Sequence, residues 1–391
     1  MSTTNLDKPL NILFLPAWYP TDQRPVLGTF IQEQAKAVSR YHNVTVLHAN
    51  LTESGPRGRW HIASDTFEEG VRTVRIQWRK LPVPKTVLLF HLWVIVAAYR
   101  QLLKTGFEPH IIHAHNYSMA LPALVLGKLY RNPVVIAEYS SQFPRGLVRR
   151  QRILDVRNRF RRATMILPVS AFLQESMQSY GIVGNYRVIH SPYDTKVFFP
   201  PTEGIDREAG SHIPRLLTVG LLTEPKGIPD LLRAVHSVKR TGKPFHLDIV
   251  GDGAERPEYE KMSADLGLQA VVTFQGMKNK AEVAQFMRRC DFYLQPSLWE
   301  TFGTTVVEAM ACGKPVVATR IPVFEEKIGA STGILVPVGD DVALAAAIET
   351  MLDRYDTFDP DQIAEHARRQ YSHEAVGKML SDVYREVQRL R

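Results

Sequence analysis

The residues best placed to do chemistry lie in one phrase, Ser297 to Ala318, SLWETFGTTVVEAMACGKPVVA. The pattern predicts a strand over Asp291–Gln295, a loop from Pro296 to Gly303, and a short helix from Thr304 to Cys312 stopped by Gly313 and Pro315. At such a helix start the amides of Phe302, Gly303, Thr304 and Thr305 point outward. They form an anion site suited to a phosphate, and Gly303 lets the anion approach the backbone. Glu300 and Glu308 flank this site, eight residues apart. Carboxylates repel phosphate, so they serve better as acceptors for sugar hydroxyls on either side of a diphosphate. The same spacing by itself also fits an ordinary loop acid and a helix-start acid favoured by the dipole. The whole phrase is what separates the two.

His113 and His115 sit in IIHAHNYS, where alternation along a strand puts them on one side. His113 reads as a core residue; His115, at the carboxyl end, is where a ligand-facing residue belongs. The only Asp-x-Asp spacing, Asp359-Pro360-Asp361, follows no strand and reads as a helix cap with proline in the first turn. Nothing else suggests a bound metal, so neither a metal nor a cofactor is expected. Helix-start amides and a lysine do the same electrostatic work. No Ser-His-Asp or Cys-His grouping is visible, and Cys290 and Cys312, set among apolar residues, read as buried thiols of a reducing compartment.

Charge is concentrated. The chain carries +8, and Arg145 to Arg162 (RGLVRRQRILDVRNRFRR) holds eight arginines and one aspartate, a net of +7. Arg145, Arg149, Arg150, Arg152, Arg157 and Arg159 mark a docking patch for an anionic partner: a membrane surface or a pyrophosphate-linked lipid acceptor. Nucleic acid is the least favoured partner, because few aromatics interleave and no binding module is recognisable. Leu147, Val148, Ile153 and Leu154 either dip into an interface or pack against the sheet.

The elements that must position these residues span 391 residues, 45% of them hydrophobic. A single core stops growing at about 250–300 residues, so two domains are expected. Apolar strands at 10–15, 44–48, 111–115, 133–137, 164–169 and 187–190 alternate with helical patterns such as 28–41 and 170–180. A second set follows at 215–219, 246–250, 271–274, 291–295, 315–319 and 333–336. Near-continuous apolar strands separated by helices mean parallel sheets covered on both faces. This predicts an α/β protein of two doubly wound, Rossmann-like domains facing each other across a cleft, with ligands at the carboxyl ends of the strands. The bounds are 1–199 and 215–371, joined by the Pro-, Gly- and acid-rich linker 200–214, with a C-terminal helix over 372–391 that could pack back on the first domain. The run Leu10–Leu15 lacks a cleavage site and reads as a strand. Thr86–Ala98 falls short of the ~20 residues a bilayer needs and reads as a buried or interfacial helix.

The Ser297–Ala318 phrase resembles the signature of the retaining glycosyltransferases of family 4, which have the GT-B fold. Val219–Gly227 (VGLLTEPKG), Ile249–Glu255 (IVGDGAE) and Phe274–Gly276 (FQG) are similar to that family's other strand-end loops, in the same order. The resemblance implies that Glu308 binds the ribose of a nucleotide-sugar, Glu300 the donor sugar, Lys226 the diphosphate, and His115 a hydroxyl of that sugar. Gly28 matches a glycine-bearing loop after the first strand, and that segment resembles bacterial surface-polysaccharide enzymes. One position departs: the family usually has an arginine where this chain has Leu221. The expectation is a cytoplasmic hexosyltransferase, peripheral on the inner face of the plasma membrane, acting on a lipid-linked saccharide acceptor. The rivals are a nucleotide-sugar epimerase of the same fold and a non-catalytic nucleotide-sugar- or lipid-binding scaffold.

Overall fold

The computed structural model describes residues 8–24, 26–51, 58–79, 87–201 and 212–390. The chain divides into two compact units, residues 1–192 with 373–391, and residues 193–372. Most of the expected linker, 202–211, lies outside the described residues.

The first unit is built on seven strands: β1 (Asn11–Pro16), β2 (Asn43–Leu51), β3 (Trp60–Glu68), β4 (Val71–Trp78), β5 (Ile111–His115), β6 (Val134–Glu138) and β7 (Met165–Pro168). Their order is β3-β4-β2-β1-β5-β6-β7, parallel except for β3, which pairs antiparallel with β4. The β5, β6 and β7 strands are buried at every position, as continuous apolar runs covered on both faces require. The β3–β4 pair is absent from the sequence-derived list of strands. β3 is an edge strand whose residues are mostly exposed, so it carries no apolar run to find. The segment 187–190, expected as a strand, is not one. It bonds to β7 at intervals, through Arg187 N to Ile166 O and Ile189 N to Pro168 O, without forming a ladder.

The second unit has β8 (Arg215–Val219), β9 (His246–Val250), β10 (Val272–Gly276), β11 (Phe292–Gln295), β12 (Val316–Thr319) and β13 (Gly333–Val336). All are parallel, in the order β10-β9-β8-β11-β12-β13. Strand order reverses between β8 and β11 here and between β1 and β5 in the first unit. At a reversal the connecting helices leave toward opposite faces and open a crevice at the carboxyl edge. Each unit therefore has one preferred place for a ligand.

Thr86 lies outside the described residues; from Val87 on, the expected segment belongs to a longer helix, Val87–Lys104. By length and composition it is the one described helix long and apolar enough to cross a membrane. One stripe of it (Val94, Ile95, Ala98, Tyr99 and Leu102) is buried in the first unit, while Leu88, Leu89 and Trp93 are exposed. Asp359 caps the Pro360–Tyr371 helix, accepting from the amides of Asp361 and Gln362.

The last helix, His373–Arg389, belongs to the first unit and packs on the Thr29–Ser39 helix. His373 Nε2 lies 2.8 Å from Glu33 Oε2, and His42 Nε2 lies 2.9 Å from Ser381 Oγ. The backbones approach so closely that a Cβ on Gly377 would stand 2.3 Å from the Ala37 carbonyl oxygen. Gly377→Leu should therefore destabilise the first unit by ~2–3 kcal/mol, since an overpacked contact forces the helices apart. Urea unfolding checks this; an unchanged midpoint would mean that the two helices do not meet at Gly377.

Candidate functional site

In the second unit the two strand ends at the reversal carry the residues that the sequence singled out. Gly227, at φ +65°, starts the Ile228–Lys239 helix, and a Cβ on it would lie 2.0 Å from the carbonyl oxygen of Pro296. Leu298 N donates to Pro225 O at 2.8 Å. The loop after β8 and the loop after β11 thus touch backbone to backbone. That contact brings Lys226 Nζ within 2.5 Å of Glu300 Oε1 in a half-buried ion pair. An ammonium has three donors, so Lys226 can hold Glu300 and still meet an incoming anion.

Behind Glu300 a polar chain runs into the sheet. Ser297 Oγ donates to Glu300 Oε1 at 3.2 Å, Gln295 Nε2 donates to Ser297 Oγ at 2.7 Å, and Tyr293 Oη donates to Gln295 Oε1 at 2.7 Å. Alternation along β11 puts Tyr293 and Gln295 on one side of the strand. Sequence reasoning missed Gln295, whose one signal was a polar residue ending a buried apolar strand.

The predicted helix is present as Thr304–Ala311, with Gly303 at its N-cap (φ +79°). The first amides of any α-helix lack intrahelical acceptors, so this end can meet an anion. The glycine has a second reason besides ligand approach: a Cβ there would lie 2.4 Å from the Phe324 ring. Thr305 turns its hydroxyl inward to Gln295 Oε1 at 3.0 Å, so its amide remains the group for a ligand. Thr304 and Glu308 are half-buried, and Phe302 is buried. Glu308 and Glu300 both lie within electrostatic reach of the Tyr293 hydroxyl; burial keeps that hydroxyl protonated far above its ordinary range, against hydrogen bonds with Thr305 and Val219, and the two acids add a smaller push. Leu221 is 54% exposed on the β8 loop. Another cation stands behind the helix-start loop: Lys327 Nζ lies 4.3 Å from the Phe302 ring centroid and donates to Val323 O. Burial lowers its pKa to about 8, against the opposing pull of Glu326 and Glu300. Nothing in the sequence pattern marked Lys327.

In the first unit the reversal lies between β1 and β5. Gly28, at φ +79°, starts the Thr29–Ser39 helix, and a Cβ on it would lie 2.5 Å from the Trp18 carbonyl oxygen, so the loop after β1 folds against itself. His113 and His115 do share one side, with ring centroids 4.1 Å apart. His113 Nδ1 is 2.7 Å from Tyr384 Oη, and its Nε2 has no partner, so it is a core histidine satisfied on one side only. His115 is fully buried rather than exposed at the strand end, against Phe14 and Tyr139. Tyr139 Oη donates to Gln34 Oε1, which leaves its lone pair for His115 Nδ1–H at 3.2 Å. The tautomer is thereby set, and His115 Nε2 is a buried acceptor with no partner in the structure. Burial, then the neighbouring His113, hold His115 well below the usual imidazole range, so it is neutral.

Sequence reasoning also missed Glu138, at the end of β6. It is fully buried and accepts from Asn116 Nδ2 and from the amides of Tyr117, Tyr139 and Ser140, each at 2.8–2.9 Å. One carboxylate thus ties the turn after β5 to the turn after β6. Desolvation raises its pKa to about 7, outweighing the donors that favour the anion.

The arginine stretch is not the single patch the sequence suggested. It forms the Arg150–Arg161 helix, which buries Val156 and Phe160 and spreads its arginines around the remaining circumference. Arg157 Nε donates to Tyr180 O at 2.5 Å, and Arg159 pairs along the helix surface with Asp155 at 2.5 Å, so both have partners within the chain. Arg150, Leu154 and Arg161 share one outer strip by their i, i+4, i+11 spacing. Leu147 and Leu154 are exposed, at 52% and 66%.

Comparison with known proteins decides which chemistry this geometry serves. The family model described as glycosyl transferases group 1 matches residues 208–370, and that described as Glycosyltransferase Family 4 matches residues 27–197. The chain is a family 4 glycosyltransferase. Mycobacterium tuberculosis glycogen synthase is 26% identical over 365 residues, covering 88% of this chain and 86% of that protein. Among solved structures, sucrose-phosphate synthase from Thermosynechococcus elongatus superposes with a TM-score of 0.75 at 20% identity, covering 98% of this chain and all of that one. Anabaena HepE in complex with UDP and glucose superposes with a TM-score of 0.73 at 18% identity, covering 96% and 99%. This glycosyltransferase has the GT-B architecture and uses a nucleotide-sugar.

Glu138 yields a pH signature. Its folded pKa of about 7 lies above the unfolded value of 4.5, so the stability it confers is fully present below pH 4.5 and is lost as pH rises through 7. A gap of that size corresponds to ~3 kcal/mol. Glu138→Gln should remove this component, so the difference in stability between wild type and variant should change by ~3 kcal/mol between pH 4.5 and pH 8. Urea titrations across that range check it; a constant difference would mean that Glu138 ionises normally.

Proposed function

We propose that this glycosyltransferase transfers a hexose with retention, without a metal ion, from a nucleotide-sugar to a lipid-linked saccharide in surface-polysaccharide or glycolipid synthesis. It would do so in the cytoplasm, on the inner face of the plasma membrane. The observation that carries this reading is the Lys226–Glu300 pair, held beside a helix start at the strand-order reversal. The helix-start amides and Lys226 take the diphosphate, Glu308 the ribose hydroxyls, and Glu300 the sugar hydroxyls. When the bond from the anomeric carbon to the diphosphate oxygen breaks, the electron pair leaves with the diphosphate, where those donors receive it. The acceptor hydroxyl attacks from the same face and gives its proton to the departing phosphate oxygen. Glu300 is a poor nucleophile for a double displacement, because Lys226 and Ser297 already hold its Oε1. Neutral His115 can accept a hydroxyl hydrogen at Nε2.

These roles separate in mutants. Glu308→Ala should weaken uridine diphosphate binding by at least ~10-fold, since it removes charged-group hydrogen bonds. Glu300→Ala should leave that binding within ~2-fold and lower transfer by at least ~100-fold. Calorimetry and radiolabelled transfer from a panel of nucleotide-sugars measure the two. If Glu308→Ala binds the nucleotide as wild type does, the ribose assignment fails.

The outer strip of the arginine helix supports membrane docking. Each arginine near an anionic surface contributes ~1 kcal/mol. Changing Arg150 and Arg161 to Glu should lower co-sedimentation with phosphatidylglycerol vesicles by at least ~10-fold, and salt should lower that of wild type. Equal sedimentation of variant and wild type would leave the strip as a solvated face.

A further inference from the structure

Two other arginines of the stretch do something else. Arg149 and Arg152 line a cavity of about 320 Å³ within the first unit, together with Tyr117, Gln142, Leu147 and Val148. That volume lies in the range of small-molecule sites. The cavity opens on the carboxyl edge of the sheet, because Tyr117 follows His115 by two residues and Gln142 lies in the segment after β6.

Its walls are fixed. The Tyr117 amide is held by Glu138, the Tyr117 hydroxyl donates to Gln142 Oε1 at 3.0 Å, and Leu147 N donates to Gln142 O at 2.8 Å. No acid lines the cavity, and Asp155, the one acid of the helix, is paired with Arg159. The arginines also stand at the wrong end for helix stability. Arg149 is the N-cap, no acidic residue occupies the first turn, and the positive end of a helix dipole disfavours cations. Guanidiniums placed against the dipole, around a cavity with an apolar wall at Leu147 and Val148, make a site for an anion attached to something less polar.

We infer that this cavity binds the phosphate ester of the acceptor, with Arg149 and Arg152 on the phosphate oxygens and Leu147 and Val148 against the group it carries. The inference rests on the transfer reading above and adds the acceptor's chemical class. A guanidinium matches phosphate oxygens two at a time, which a lysine does not. A lipid phosphate and a sugar phosphate present the same oxygens, and the apolar wall separates them by affinity.

The test uses the full chain and three probes below micellar concentration: octyl phosphate, glucose 6-phosphate and uncharged octyl glucoside. Arg149→Gln/Arg152→Gln is compared with Arg150→Gln/Arg161→Gln, which removes the same charge from the outer strip. Wild type should bind a phosphate probe in calorimetry. The cavity variant should lose at least ~10-fold in affinity and the outer-strip variant less than ~2-fold. Tighter octyl phosphate identifies a lipid phosphate, and tighter glucose 6-phosphate a soluble one. The proposal fails if octyl glucoside binds as well as octyl phosphate, if both variants lose affinity equally, or if no phosphate binds. Matching melting temperatures of the two variants exclude misfolding. Slow hydrolysis of the donor without acceptor, which does not use this cavity, should persist in the cavity variant. A wild type that binds phosphate there but neither hydrolyses nor transfers any donor would sink the transfer reading and leave the cavity as an anion site.

Discussion

Contact between two loop backbones, at Gly227 and Pro296, underlies the geometry of the second unit. Any side chain at 227 would occupy the space of the Pro296 carbonyl. Because nothing intervenes, the turn carrying Lys226 lies directly on the loop carrying Glu300, and opposite charges meet without long, flexible reaches. Similar approaches recur along this edge: a Cβ on Gly251 would stand 1.8 Å from Gly220 O, and one on Gly253 2.0 Å from Leu222 O. The carboxyl edge of the sheet is a set of loops packed backbone to backbone. The short polar side chains of Gln295, Ser297 and Thr305 are held there by neighbours, which suits electrostatic stabilisation of a leaving group.

The first unit solves a different problem, that of keeping polar groups useful inside an apolar sheet. His113, His115, Tyr139, Gln34 and Tyr384 are all buried, and hydrogen bonds satisfy all but the Nε2 atoms of the two histidines. Charge is what burial forbids, and both imidazoles are held neutral. Glu138 belongs to the same logic. Four donors surround it, yet desolvation still moves its pKa toward neutrality. The group is retained where it fastens two loops, which carry Asn116 and Tyr117 on one side and Tyr139 and Ser140 on the other.

The arginine helix shows how one run of like charges is divided by a fold. Little more than three turns of helix place neighbours in sequence on different faces, so Arg157 and Arg159 hold partners in the same chain, Arg149 and Arg152 line a cavity, and Arg150 and Arg161 face outward beside Leu154. Net charge over eighteen positions is a property of composition. What each charge does is set by the helix period and by where Val156 and Phe160 anchor it.

The sequence by itself determined most strands of the two sheets and the glycine-started helix at 304, because apolar strand runs and turn glycines act over a few positions and leave their mark in the chain; the strand order, and with it the reversal points, came from the fold. It also placed Glu300, Glu308 and Lys226 at strand ends and a helix start, where local pattern suffices. Only the tertiary structure decided that Lys226 and Glu300 pair, that Thr305 turns inward, that His115 is enclosed, and that Glu138 and Lys327 are buried ionisable groups. Each of those depends on a neighbour tens to hundreds of positions away, or on how completely water is removed, and neither leaves a periodic trace. The polar edge strand β3 went unseen for the converse reason: with one face paired and little to bury, it is held by its hydrogen bonds to β4 more than by the apolar alternation that a sequence displays.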